Sequence, residues 1–201
     1  MTPYVQKHYM AKMERQHHEH QAAISTFSNL ANRMGKEVLV RTEDEATLSD
    51  MREVDCVVSL GGDHTFLKAS SLIWDKTTPI LGINTNRRVY MGALDHHYID
   101  PSDRERQAAG LLESMEDDHA ISFEKRSRIL YERVRQHDRQ DEQKALCLNE
   151  VFCAETDVSC ASRYCIQKDG VDLGVFKSSG LIVSTGTGSS GWLYSARQLT
   201  V

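Results

Sequence analysis

Residues 57–67 read Val-Val-Ser-Leu-Gly-Gly-Asp-His-Thr-Phe-Leu, and two adjacent glycines end an apolar run just where helical spacing takes over. Val57, Val58 and Leu60 predict a short buried strand, while Phe66, Ala69 and Ile73 recur at helical intervals after the turn. A strand that turns at once into a helix points to an open parallel sheet built from alternating strands and helices. Gly61 and Gly62 permit a sharp turn and close backbone approach. Backbone N–H groups at such a turn, with a helix dipole behind them, suit an anion such as phosphate. Asp63 stands beside them as a base or a metal ligand. A tight surface turn uses the same three residue types, so the segment alone leaves both readings open.

A second segment, residues 180–191, reads Gly-Leu-Ile-Val-Ser-Thr-Gly-Thr-Gly-Ser-Ser-Gly. Small residues let a ligand approach the main chain, and the hydroxyls of Thr185, Thr187, Ser189 and Ser190 can donate or accept without bulk. A flexible linker has similar composition. Here, however, the stretch follows an apolar strand directly and leads into Trp192 and Tyr194, residues that linkers lack.

Residues 4–34 carry a helical pattern, with Val5, Tyr9 and Met13 on one face, then Ala23, Phe27, Leu30 and Met34, and Gly35 as the stop. Val38-Leu39-Val40 predicts a short strand, residues 54–60 the strand before the glycine turn, 64–75 a helix, and 79–83 a further buried strand. Ser102 and Glu105 have capping-box spacing ahead of a helix with Ala108, Leu111, Leu112 and Met115 on its apolar face. From Ile121 the pattern changes. Residues 129–134, 145–154, 163–167 and 181–184 predict short strands, with turns such as Lys168-Asp169-Gly170, a solvated loop over 136–144, and no helix between them. The expected architecture is an N-terminal open, mostly parallel α/β sheet domain over residues 1–120, followed by a β-rich, sandwich-like domain over 121–201. Ligands of open parallel sheets bind beyond the carboxyl ends of the strands, where Gly61 to Asp63 and Asn84 fall.

Several classes are disfavoured. A net charge of −5 argues against nucleic-acid or anionic-membrane partners, which require clustered Lys and Arg. Five cysteines without a Cys-x-x-Cys pair imply neither a zinc site nor a disulfide framework. No apolar run is long enough to cross a membrane. His8, His17, His18 and His20 lie among Glu and Gln and read as a solvated helix face rather than a metal site. The first twenty residues mix Lys7, Lys12 and Arg15 with Glu14 and Glu19, unlike an Arg-rich, acid-poor transit peptide.

Taken in order, Gly61-Gly62-Asp63-His64-Thr65, Leu81-Gly82-Ile83-Asn84-Thr85, Asn149-Glu150, Ser162-Arg163 and the segment from Ser178-Ser179-Gly180 to Gly191-Trp192 make the chain resemble the NAD kinase family, and within it the mitochondrial branch. The likeness runs from about residue 54 to 199. His64 replaces the glycine of the family's Gly-Gly-Asp-Gly-Thr, and Ser179 stands where the wider family carries aspartate, although Ser-Ser-Gly resembles the mitochondrial branch. Such kinases continue through further strands, so the resemblance implies that the β-rich domain is incomplete at Val201.

The resemblance implies transfer of the γ-phosphoryl group of ATP to the 2′-hydroxyl of the adenosine ribose of NAD. Asp63 would be the base, a role worth typically ~10²–10⁴-fold. Gly61, Gly62, His64 and Thr65 would surround the phosphates, and Mg²⁺ would accompany ATP without a dedicated set of protein ligands. Asn149 and Glu150 would hold NAD, with Thr187 and Ser190 on adenine, Trp192 packed against it, and Gly191 and Ser195 completing that set. NAD and ATP are the implied substrates, a homo-oligomer such as a dimer the implied assembly, and the mitochondrion, otherwise the cytoplasm, the implied location. A side chain at position 64 would either crowd the ligand or strain the turn, which makes a catalytically impaired nucleotide-binding protein the alternative. A lipid kinase of the diacylglycerol or sphingosine type shares the glycine turn but lacks the Asn-Glu pair.

Overall fold

The computed structural model describes residues 3–86, 94, 97–117, 120–134, 143–157 and 159–198. The chain divides into two compact units, Met1–Glu124 and Lys125–Val201.

In the first unit a long helix, α1 (Pro3–Arg33), buries Ala23, Phe27 and Ala31, which recur every four residues and so share one face. Gly35 ends it in the left-handed region at φ 78°, and the N–H of Lys36 closes back onto the carbonyl of Ala31 at 3.0 Å. Three parallel strands follow in spatial order: β1 (Val57–Gly61), β2 (Ile80–Asn84) and the two-residue β3 (His97–Tyr98). Helix α2 (Asp63–Leu72) packs on β1, and α3 (Arg104–Ser114) packs on α1. Leu81 and Ile83 of β2 lie in one core with Phe27, Ala31, Ile99, Ala108 and Leu112, and Ile83 is wholly buried. A parallel sheet whose central strand is covered in this way reads as continuous apolar sequence, as residues 80–83 do.

Two local expectations fail in this unit. Residues 38–40 form no strand: Val38 packs against the core, but Leu39 and Val40 are about half exposed, so the β-branched run has neither a pairing partner nor a buried face. The capping box does not form either. Asp103, not Ser102, precedes α3, and the Ser102 hydroxyl instead donates to Asp100 Oδ1 at 2.6 Å.

The second unit is antiparallel. Strand β4 (Ile129–Arg133) pairs with β5 (Gln143–Cys147), β6 (Glu150–Cys153) with β9 (Leu181–Ser184), and β7 (Ser162–Lys168) with β8 (Val171–Ser178). The strand expected over 145–154 is thus two strands, broken at Leu148-Asn149, and β8 is a strand beyond those the sequence pattern predicts. Asp169 at φ 52° and Gly170 at φ 80° make the turn between β7 and β8, as the Asp-Gly pair foretells. The loop expected over 136–144 lies largely outside the described residues; Gln143 and Lys144 already belong to β5. Helical structure follows the last strand: a short 3₁₀ turn at Thr187–Ser190 and α4 (Trp192–Gln198).

Candidate functional site

Strand β1 brings Gly61 to the carboxyl edge of the sheet, directly opposite Asn84, the last residue of β2. Gly62 continues as extended backbone and precedes α2, where no side chain caps the helix. The N–H groups of the first turn therefore carry the positive end of the helix with no capping side chain on them. Gly61 is demanded by packing as well as by approach. A Cβ there would stand 2.5 Å from Oγ1 and 2.8 Å from Cβ of Thr65, so the strand end and the first turn of α2 fit only if residue 61 has no side chain. Thr65, expected among the phosphate contacts, lies in that first turn against Gly61.

Asp63 opens α2 and is half-buried, and its Oδ1 accepts from the N–H of Leu94 at 3.1 Å. That bond fixes the carboxylate at the mouth of the turn. His64 follows it in ordinary helical backbone; among the described residues Asp169 alone takes positive φ without being glycine. The strained turn expected as one consequence of a side chain at position 64 does not arise, because the position is already inside the helix. Its imidazole is 77% exposed, with Nε2 3.7 Å from the carboxylate of Glu43.

In the second unit, the pairing of β6 with β9 sets Glu150 opposite Ser184 and carries the glycine-rich segment across Asn149 and Glu150. Thr185 anchors that crossing. Its N–H donates to the Asn149 carbonyl at 2.9 Å, its hydroxyl donates to the Leu148 carbonyl at 2.6 Å, and the same Oγ1 accepts from the N–H of Gly188 at 3.1 Å. The last bond starts the 3₁₀ turn. Gly188 is buried, and a Cβ on it would stand 2.5 Å from the Asn149 carbonyl carbon and 2.7 Å from Glu150 Oε2; at Gly191 the same oxygen would be 3.2 Å away. These two glycines are therefore needed by the Asn-Glu pair beneath them. Their smallness thus serves packing on that pair and is not explained by ligand approach alone.

Asn149 Oδ1 and Glu150 Oε2 are both buried and have no hydrogen-bond partner among the described residues. A buried acceptor without a donor costs ~1–3 kcal/mol, more when charged, so the pair is a candidate site for incoming donors. Of the other residues expected here, Thr187 accepts from Arg126 Nη1 at 3.3 Å, Ser190 is exposed, and the N–H of Ser195 returns to the Gly191 carbonyl at 3.4 Å. Trp192 meets Phe152 edge to face, with ring centroids 4.4 Å apart. Phe152 was not singled out from the sequence, yet it sits two residues after Glu150 and so shares its face of β6. A Cβ at Gly180 would come within 2.5 Å of the Phe152 ring, which accounts for that glycine too. Arg126 likewise had no motif to mark it.

Residues 1–118 match the family model of the ATP-NAD kinase N-terminal domain. The chain belongs to the NAD kinase family. It is similar to the NAD kinase of Bacteroides fragilis, with 30% identity over 70% of this chain and 44% of that protein. It is also similar to human NAD kinase 2, mitochondrial, with 28% identity over 95% of this chain and 50% of that protein. The fold matches a crystal structure of an NAD kinase from Archaeoglobus fulgidus in complex with ATP, at TM-score 0.57 and 23% identity over 86% of this chain and 60% of that one. It also matches yeast NADH kinase complexed with NADH, at TM-score 0.59 and 16% identity over 89% of this chain and 57% of that one. The chain spans about half the length of the curated relatives it matches. For a member of the NAD kinase family, the segments that carried the resemblance occupy the sheet edge in one unit and the Asn-Glu crossing in the other.

Proposed function

We propose that the protein to which this chain belongs is an NAD kinase, moving the γ-phosphoryl group of ATP to the 2′-hydroxyl of the adenosine ribose of NAD. The observation that carries this reading is the pair of buried acceptors without a partner among the described residues, Asn149 Oδ1 and Glu150 Oε2, under a glycine-rich crossing. Two adjacent acceptors suit hydroxyl and amine donors such as those of an adenosine, and the asparagine adds an amide donor of its own. Phosphoryl transfer asks the protein mainly for positioning and charge stabilisation. The uncapped first turn of α2 offers N–H groups to phosphate oxygens. Asp63 is the group to take the proton from the attacking hydroxyl, and the Leu94 N–H that it accepts from holds it at the turn.

Among the described residues no group of three or more His, Cys, Asp or Glu could hold a metal. Mg²⁺ would come with the phosphates and waters of ATP and supply neutralisation of phosphate charge. The mitochondrion is the location we propose, supported by the similarity to the human mitochondrial relative, and a homo-oligomer such as a dimer is the assembly we expect; no helix among the described residues is long and apolar enough to cross a membrane.

The test is formation of NADP from NAD, ATP and Mg²⁺ by the full-length protein, beside calorimetric titration with NAD, adenosine fragments and nicotinamide mononucleotide. Asp63→Asn should lower turnover by at least ~10² while NAD affinity stays within a few-fold. Binding of the mononucleotide but not of the adenosine fragments would overturn the reading, and unchanged turnover in Asp63→Asn would remove Asp63 from catalysis.

A further inference from the structure

One long-range contact ties α1 to the carboxyl edge of the parallel sheet. His20 is half-buried on α1, and its Nδ1 lies 2.8 Å from Oγ1 of Thr85, a residue only 5% exposed. Thr85 directly follows β2. Just before it, Asn84 ends the strand opposite Gly61, its Oδ1 accepts from the N–H of Asn86 at 2.8 Å, and its carbonyl accepts from the N–H of Ile99 at 3.3 Å. The backbone of this segment is thus held on two sides, and the imidazole supplies the side-chain tether between them.

Packing alone does not account for a histidine at this place. The next turns of α1 on the same side carry Ala23, Phe27 and Ala31, all buried, so an apolar residue would continue the stripe. An apolar residue would also leave the buried Thr85 hydroxyl without this partner, at the cost that attends any unsatisfied buried polar atom. Burial, and then the neighbouring His17, hold the His20 imidazole below the usual histidine range. At neutral pH the ring is therefore uncharged, and its Nδ1 exchanges one hydrogen bond with the hydroxyl.

We infer that His20 is a positioning residue for the nucleotide site: through Nδ1 it fixes the Thr85 hydroxyl, and with it the Asn84–Asn86 segment that borders the Gly61–Asp63 turn. The nucleotide meant is the one in the proposed function, so the inference rests on that reading, whereas the contact itself does not.

His20→Ala removes the tether, and His20→Asn keeps a hydrogen-bonding atom near the place of Nδ1. In the full-length protein, His20→Ala should weaken NAD binding about tenfold with kcat changed less than about threefold, and His20→Asn should recover affinity to within about threefold of the parent. Amide exchange at Asn86 should quicken tenfold or more in His20→Ala and slow again in His20→Asn. Unchanged NAD affinity in His20→Ala would overturn the inference. So would equal losses in both variants that follow their melting temperatures, since that is what a purely structural histidine would give. A parent protein that binds no NAD would sink the functional reading instead, and the tether would then stand or fall on the Asn86 exchange alone.

Discussion

Three glycines within six residues of one another, Gly186, Gly188 and Gly191, should respond to the same substitution in three different ways. A Cβ on Gly188 would lie 2.5 Å from the Asn149 carbonyl carbon, about 0.9 Å inside the 3.4 Å at which ordinary contact begins, and the atoms it meets are mostly backbone. Neither partner can turn aside, so Gly188→Ala should cost the upper end of the usual overpacking range, about 3 kcal/mol. At Gly191 the Cβ would be 3.2 Å from Glu150 Oε2 and 3.3 Å from the Gly188 carbonyl oxygen, a misfit of a few tenths of an ångström that the carboxylate can partly yield to. We expect about 1 kcal/mol there. At Gly186 nothing lies within 4 Å and the backbone is right-handed helical at φ −61°, ψ −37°, so alanine fits unstrained. It should leave stability unchanged or raise it by ~0.4–1 kcal/mol through the unfolded chain. Urea titrations of the three variants, followed by circular dichroism with a common m-value, measure the order directly. Gly188→Ala should also displace the Glu150 carboxylate and weaken NAD binding, whereas Gly186→Ala should not. Equal effects at positions 186 and 188 would refute the view that the glycines exist to accommodate the Asn-Glu pair.

Three further outcomes are expected. His64→Gly should lower stability by ~0.5–1 kcal/mol, because the residue sits unstrained in the first turn of α2 where glycine is entropically unfavourable; a stabilising effect in thermal melts would mean that the histidine is strained after all. Since His20 is held below its ordinary pKa of 6.5, the unfolded chain takes up that proton first. Stability should be complete above about pH 6.5 and decline below it, and a pH series of His20→Asn should show a shallower decline. Alkylation followed by mass spectrometry at pH 8 should modify Cys153, Cys160 and Cys165 first, since all three are exposed. Cys56, whose thiol burial and then Asp55 push up to about 11, should react last, and Cys147, raised by burial, should be slow; early labelling of Cys56 would contradict its placement.

What the sequence disclosed, and what it withheld, divides by the range of the cause. The strand-turn-helix at residues 57–72 was readable because both periodicities and the glycine pair are local, and the Asp169-Gly170 turn because positive φ has so few residue types. The motifs also named most of the residues at both sites. Residues 38–40 misled because β-branched composition says nothing about whether a partner strand is available, and the Ser102–Glu105 spacing because Asp100 competes for the serine hydroxyl. Phe152 and Arg126 carry no motif, and His20 reads as part of a solvated helix face although it is half-buried against Thr85, for another reason: each acquires its role from a residue 40 or more positions away in the chain. No window of local pattern contains both partners.

The strand order of the second unit has a consequence for how its site comes into being. The β7–β8 hairpin lies wholly inside the stretch that separates β6 from β9, so the two ladders are nested. A hairpin of this kind closes in ~1–10 μs on its own. Once closed, it more than halves the free chain that must be looped to join β6 to β9, a saving of roughly 0.6 kcal/mol per halving. The inner ladder therefore smooths the way for the outer one, and Asn149 meets Gly188 only when the outer one has zipped to its end at Glu150 and Ser184. On this reasoning the two nested ladders assemble from the hairpin outward, and the Asn149-Glu150 crossing should be the last part of them to form. Mutations that slow the distant Asp169-Gly170 turn should then delay recovery of ligand binding after dilution from denaturant more than those in β4 or β5.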